Sequence, residues 1–132
     1  MGFDLRSEAG AEFRATGSGW TYYLNLAEDY EWKPAGTLPP RGASSSQPWP
    51  GSYDTNDNQR VSQQDATAMA VALKAALADP NRTARETALA ERLTQAVRAA
   101  TGSTTYTMRI GDDTAFLTEL VKFLECGAFD IS

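Results

Sequence analysis

Between Ser62 and Gly102 apolar residues recur twice at helical spacing, and Asp79-Pro80 breaks the pattern in the middle. Ala66, Met69, Ala70, Leu73, Ala76 and Leu77 form one stripe; Leu89, Ala90, Leu93, Ala96, Val97 and Ala100 form the other. A 3.6-residue apolar period is the mark of an amphipathic helix, which must bury that stripe against another element. The many alanines allow close helix contact. Ser62 with Asp65, and Thr83 with Glu86, have the spacing of capping boxes, and Gly102 is placed to close the second helix.

Two further helices are predicted. Trp20, Tyr23, Leu24, Ala27 and Tyr30 share a helical face that Ser18 can cap and Pro34 must end. Phe116, Leu117, Leu120, Val121, Phe123 and Leu124 cover a wide arc after Asp112-Asp113, so this fourth helix is expected to be the most buried, with Gly127 as its stop. Between Lys33 and Tyr53 stand five prolines, several glycines and the run Ser44-Ser-Ser46, which predicts a long irregular loop at about 33–61. Its end, carrying Trp49 and Tyr53, is expected to fold back on the core while the serines stay loose. Residues 103–110 suit a short strand or an extended connector equally. Phe3 and Leu5, with Phe129 and Ile131, alternate with polar residues and predict a small two-stranded element joining the termini. The expected fold is therefore mainly α: one domain over 1–132 with about four helices, the long loop and that small β element.

Composition narrows the chemistry. A chain of 132 residues suits one core, and no apolar run approaches the roughly 20 residues that cross a bilayer. The start of the chain lacks the pattern of a secretory signal, which makes the cytoplasm the expected location. There is no histidine and only one cysteine, so Ser-His-Asp and Cys-His catalysis, HExxH chemistry and cysteine-based zinc sites are excluded. Cys126, at the end of the fourth helix, sits where the helix dipole raises a thiol pKa and reads as a small buried hydrophobe. The net charge of −5 and pI near 4.6 disfavour nucleic-acid binding. Both ends of the chain are acidic, which would suit a basic protein partner.

One stretch imitates a calcium loop. Asp54, Asn56, Asn58, Ser62 and Asp65 fall at loop positions 1, 3, 5, 9 and 12, but Gln59 stands where the turn needs glycine, and position 12 is Asp rather than Glu. Pro48-Trp-Pro-Gly51 also replaces the entering helix. The stretch reads instead as a turn feeding a capped helix, and no metal or cofactor is expected. Glu28-Asp29, Asp112-Asp113 and Glu119 with Glu125 are carboxylate groupings with simpler assignments as solvated surface or helix cap. Arg85, Arg92 and Arg98, interleaved with Glu86 and Glu91, read as mixed-sign surface. Seven of the thirteen aromatic residues lie between Trp20 and Tyr53. Of these, Trp20, Tyr23, Trp32, Trp49 and Tyr53 are the candidate ligand- or partner-binding residues, with core packing the competing reading. No residue is a catalytic candidate.

Asn56-Asp-Asn-Gln-Arg-Val61 followed by Asp65-Ala66, Gly19-Trp20 with Tyr30 and Trp32, and Phe123-Leu-Glu-Cys-Gly-Ala-Phe-Asp-Ile131 together resemble a group of small, functionally uncharacterised bacterial proteins. In that group an Asn-Asp-Gly-Gln turn leads into a helix and the chain ends in a Gly-Gly-Phe-x-Ile-like segment; here Asn58 and Ala128 take the glycine positions. The resemblance implies a bacterial origin and one domain, and transfers no activity.

The function expected from these features is a non-catalytic cytoplasmic domain that binds another protein, as an immunity-type inhibitor of a basic toxin would. The competing expectation is a small-molecule-binding domain or a carboxylate-based enzyme built on the aromatic cluster. Exposed apolar surface on the second and third helices would also allow a homodimer.

Overall fold

In the computed structural model, residues 2–43 and 48–132 are described; Ser44-Ser-Ser46, expected to be loose, lie outside them. The elements are β1 (Gly2–Ser7), β2 (Glu12–Thr16), α1 (Gly17–Asp29), β3 (Gln59–Val61), α2 (Gln63–Ala78), α3 (Arg82–Thr101), α4 (Thr114–Leu124) and β4 (Phe129–Ile131). The four strands form one antiparallel sheet in the order β2-β1-β4-β3. This corrects the mainly α expectation: the chain is α+β, with four helices on a small sheet. The expected pairing of the chain ends is present, Leu5 opposite Ile131 and Ser7 opposite Phe129, but it forms only the middle of the sheet.

The strands that extend it were hard to see for physical reasons. Glu12-Phe-Arg-Ala-Thr16 offers only two apolar side chains to the core, and β3 is three residues long. Both are held by main-chain pairing to a neighbour rather than by their own β-propensity. Phe3, Leu5, Ala15, Val61, Phe129 and Ile131 are buried on the face that the helices cover. The intervening Asp4, Arg6, Glu12 and Arg14 face solvent, with Arg14 Nε donating to Asp4 at 2.7 Å. One wet and one covered face is the usual arrangement of an antiparallel sheet in an α+β domain.

Local chemistry sets the helix ends. Thr16, not Ser18, caps α1, its Oγ1 accepting from the Gly19 N–H. The helix ends before Pro34 in a Schellman turn, with Trp32 N–H donating to Ala27 O, Glu31 N–H donating to Glu28 O, and Glu31 at φ 76°. Ser62 caps α2 as expected, and Asn58, at φ 63°, adopts the left-handed conformation that favours a glycine. Leu117, Leu120, Val121, Phe123 and Leu124 of α4 are all buried. α3 is the least sunken helix: Glu86, Leu89, Ala90 and Thr94 are buried, while Ala96 and Ala100 of the expected stripe are exposed. Cys126 is exposed, not buried, because the chain turns outwards after Leu124 to reach β4. Among the described residues no helix is long and apolar enough to cross a membrane.

Candidate functional site

The sequence-derived candidates divide into core and loop anchor. Trp20, Tyr23 and Trp32 are buried; Trp49 and Tyr53 are half-buried at the end of the long loop. Trp20 Nε1 donates to Tyr53 O at 2.7 Å, and Trp49 Nε1 donates to Thr37 O at 3.0 Å. Trp32 Nε1 donates to Asp65 Oδ1 at 2.9 Å, while the Tyr53 hydroxyl donates to Asp65 Oδ2 and accepts from the Gly36 N–H at 2.9 Å. Trp20, Trp32, Trp49 and Tyr53 thereby fasten residues 32–37 and 49–53 to α1, to the start of α2 and to one another. None of the five lines the groove along α3.

The imitation calcium loop is explained by the same contacts. Gln59 is fully buried; its Oε1 accepts from the Asp57 N–H, and its Nε2 donates to the carbonyls of Ser52 and Thr55. Its side chain thus closes the turn from within. Asp65, the twelfth position, is buried and has both oxygens engaged by Trp32 and Tyr53. Burial first and the Asp65 carboxylate second push the Tyr53 hydroxyl well above its ordinary pKa, which keeps it a donor.

A groove of about 750 Å3 opens between α3 and the chain that follows it. Residues 103–113 return along α3 in the opposite direction: Arg98 Nε donates to Tyr106 O at 2.7 Å, Met108 N–H donates to Thr94 Oγ1 at 2.9 Å, and Asp113 meets Arg82. The helix rises about 24 Å from Arg82 to Arg98 at 1.5 Å per residue. Residues 106–113 follow that length only when drawn out towards the roughly 3.4 Å per residue of a strand. Burial alternates accordingly, with Tyr106, Met108 and Ile110 half-buried and Thr107, Arg109 and Gly111 exposed. This stretch is the extended connector of the two sequence readings; among the described residues it pairs with no strand.

At the Arg82 end the groove floor is a carboxylate pair. Tyr22 of α1 donates to Glu86 Oε1 at 2.7 Å, and its neighbour Tyr23 donates to Asp113 Oδ2 at 2.8 Å. Arg82 Nη1 lies 3.0 Å from Asp113 Oδ1 and 3.5 Å from Glu86 Oε2, and its Nη2 donates to Thr114 Oγ1 at 2.7 Å. Glu86 is 7% exposed. Burial, and a hydrogen bond that only its protonated form can donate to Asp113, push its pKa up from 4.5 to about 7. Burial also raises both tyrosines far above the ordinary range, with their carboxylate partners adding to the effect.

No family model, curated protein or solved structure matches the chain. The site is therefore read from its own geometry.

Sequence reasoning missed Arg82, Glu86 and Asp113 as a unit. Asp112 or Asp113 was expected to cap α4; Asp112 does so, its Oδ1 accepting from the Thr114 N–H at 3.1 Å, while Asp113 turns to Arg82 and Tyr23. Glu86 was expected to complete a capping box, yet Asn81 precedes α3 and has no side-chain capping bond. One signal was present: Glu86, Ala90, Leu93 and Val97 follow one helical stripe, and an acid on an apolar stripe is a buried acid needing partners.

Proposed function

We propose that the protein is a non-catalytic protein-binding domain and that the groove between α3 and residues 107–113 is its binding surface. The observation that carries this reading is the drawn-out segment 106–112, which has a strand's alternation but, among the described residues, no strand beside it. Extended main chain with unpaired N–H and C=O groups at a surface is a template for a partner's chain; Arg98 and Thr94 engage Tyr106 and Met108, and among the described residues Ile110 and Asp112 have no main-chain partner. The acidic balance of the chain favours a basic partner, on rate more than on affinity. The cytoplasm and a bacterial source remain part of this proposal, resting on the sequence alone.

The test is position-dependent photo-crosslinking in extract of the source organism. A photoreactive residue at exposed Thr87 or Arg109 should trap one and the same protein, whereas the same residue at Gln64 or Thr67, on the outer face of α2, should not. Equal capture from both faces, or none from the groove, would remove the reading.

A second reading is favoured by one observation. A carboxylate of raised pKa beside a second carboxylate in a cleft is the kind of arrangement that acid-base enzymes use. Glu86 and Asp113 have that relation, and of the aromatic cluster where carboxylate chemistry was expected only Tyr23 reaches them by a hydrogen bond among the described residues. Against it, each carboxylate is already held by a tyrosine hydroxyl and Arg82, as a structural network would be. Metabolite screening by thermal shift on wild type and Glu86→Gln separates the two: a small molecule that stabilises only the wild type would favour chemistry.

A further inference from the structure

We infer that the groove takes an extended segment of a partner protein, laid as a strand against residues 107–112, with a lysine or arginine side chain seated at the Glu86–Asp113 end. This rests on the protein-binding reading and specifies its partner.

Two features define the occupant. The first is the main chain. In a strand, the N–H and C=O of one residue point to one edge and those of the next to the other. Tyr106 and Met108 direct theirs at α3, where Arg98 and Thr94 take them. By the same alternation those of Ile110 and Asp112 point into the groove, and among the described residues neither has a main-chain hydrogen bond. An extended peptide satisfies such an edge; a helix cannot, because its own main-chain groups are already paired.

The second feature is charge. Glu86 and Asp113 share a single guanidinium, Arg82, and Asp112 stands exposed beside them. The remaining groups facing Glu86 are the hydroxyls of Tyr22 and Tyr23 from α1, which are neutral donors. With both carboxylates ionised, this end is short of positive charge. Glu86 meets the shortfall by holding a proton near neutrality. A partner's ammonium or guanidinium would replace that proton, so affinity should rise as the pH rises from 6 to 8. The opposite end of the groove carries Arg98, which gives the bound segment a direction.

The experiment is selection of random heptapeptides on the whole protein at pH 8, followed by amide hydrogen exchange with the winning peptide. The expected winners carry Lys or Arg at one fixed position and slow exchange at Ile110 and Asp112 at least tenfold. Glu86→Gln, which keeps the hydrogen-bonding shape but removes the charge, should weaken a winner about tenfold at pH 8 and much less at pH 6. Winners with no fixed basic position, protection elsewhere, or no winner at all would overturn the inference. The protein-binding reading falls separately, on the crosslinking result: a groove-specific partner that contacts through a helix or an uncharged segment would retain it while sinking this inference.

Discussion

Glu86→Gln also tests the groove floor through stability alone. Unfolded, Glu86 ionises near 4.5; folded, near 7. Between those values the folded chain holds one proton more than the unfolded chain, so unfolding free energy must fall as pH rises. The slope is about 1.4 kcal/mol per pH unit, and over the full interval the loss approaches about 3 kcal/mol. Stability from this group is complete below pH 4.5 and gone once the pH has passed through 7. The chain has no histidine to blur the interval, and ordinary carboxylates overlap only its lower end, below about pH 5.5. In Glu86→Gln, the amide can accept from Tyr22 and donate to Asp113, as the protonated acid does. The variant should match wild type near pH 5 and exceed it near pH 7.5, with melting temperatures diverging by roughly 10 °C for a domain of this size. The assay is thermal unfolding followed by circular dichroism at half-unit steps from pH 5 to 7.5. A wild type whose stability is flat or rising across that interval, or a variant that keeps the wild-type slope, would refute the argument that Glu86 is buried against Asp113 with too little positive charge.

Three further outcomes follow from other contacts. Asp65→Ala leaves the Trp32 and Tyr53 donors without their acceptor and should cost about 3 kcal/mol, with faster tryptic cleavage at Arg41 as the loop loosens; unchanged denaturant midpoint and cleavage would contradict the anchoring role. Glu31→Gly, at a left-handed φ of 76°, should stabilise by about 0.5–1 kcal/mol because the strain on an L-residue there outweighs glycine's entropy loss, while Gly102→Ala at φ 73° should destabilise by a similar amount. Thr94→Val removes the acceptor of the Met108 N–H and should accelerate hydrogen exchange at Met108 at least tenfold while leaving β1 amides unchanged; equal protection in both proteins would show that Thr94 does not hold the connector.

The sequence made the four helices legible because each carries a periodic apolar stripe. It also showed that the chain ends alternate and pair. It did not show β2 or β3, which exist because β1 and β4 offer them edges, and no local pattern records an offered edge. That is why a mainly α expectation became an α+β fold. The groove was half legible: Tyr106, Met108 and Ile110 alternate in the sequence, but only the tertiary path shows that, among the described residues, α3 and no strand lies beside them.

The carboxylates explain the larger error about the site. Both expected capping boxes supplied an acid at the right spacing, Asp65 and Glu86, and in both the acid turned away from its own helix to a distant aromatic donor. The same happens elsewhere: Tyr23 reaches Asp113 before α4, and Tyr30 reaches Asp79 after α2 at 2.6 Å, beneath the Arg85 guanidinium. Asp79 is held below the usual carboxylate range by that hydroxyl first, and burial first pushes Tyr30 up to about 12. Thus α1 and the chain just after it aim Tyr22, Tyr23, Tyr30 and Trp32 at four acids that mark the ends of the other three helices. The aromatic residues and these four acids, which the sequence reading treated apart, are two halves of one fastening. Spacing along a helix cannot reveal this, because a cap and a long-range partner ask for the same residue at the same position. What distinguishes the groove is that two carboxylates divide one arginine at an open surface, whereas the single Asp65 carboxylate is enclosed by neutral donors and Asp79 has Arg85.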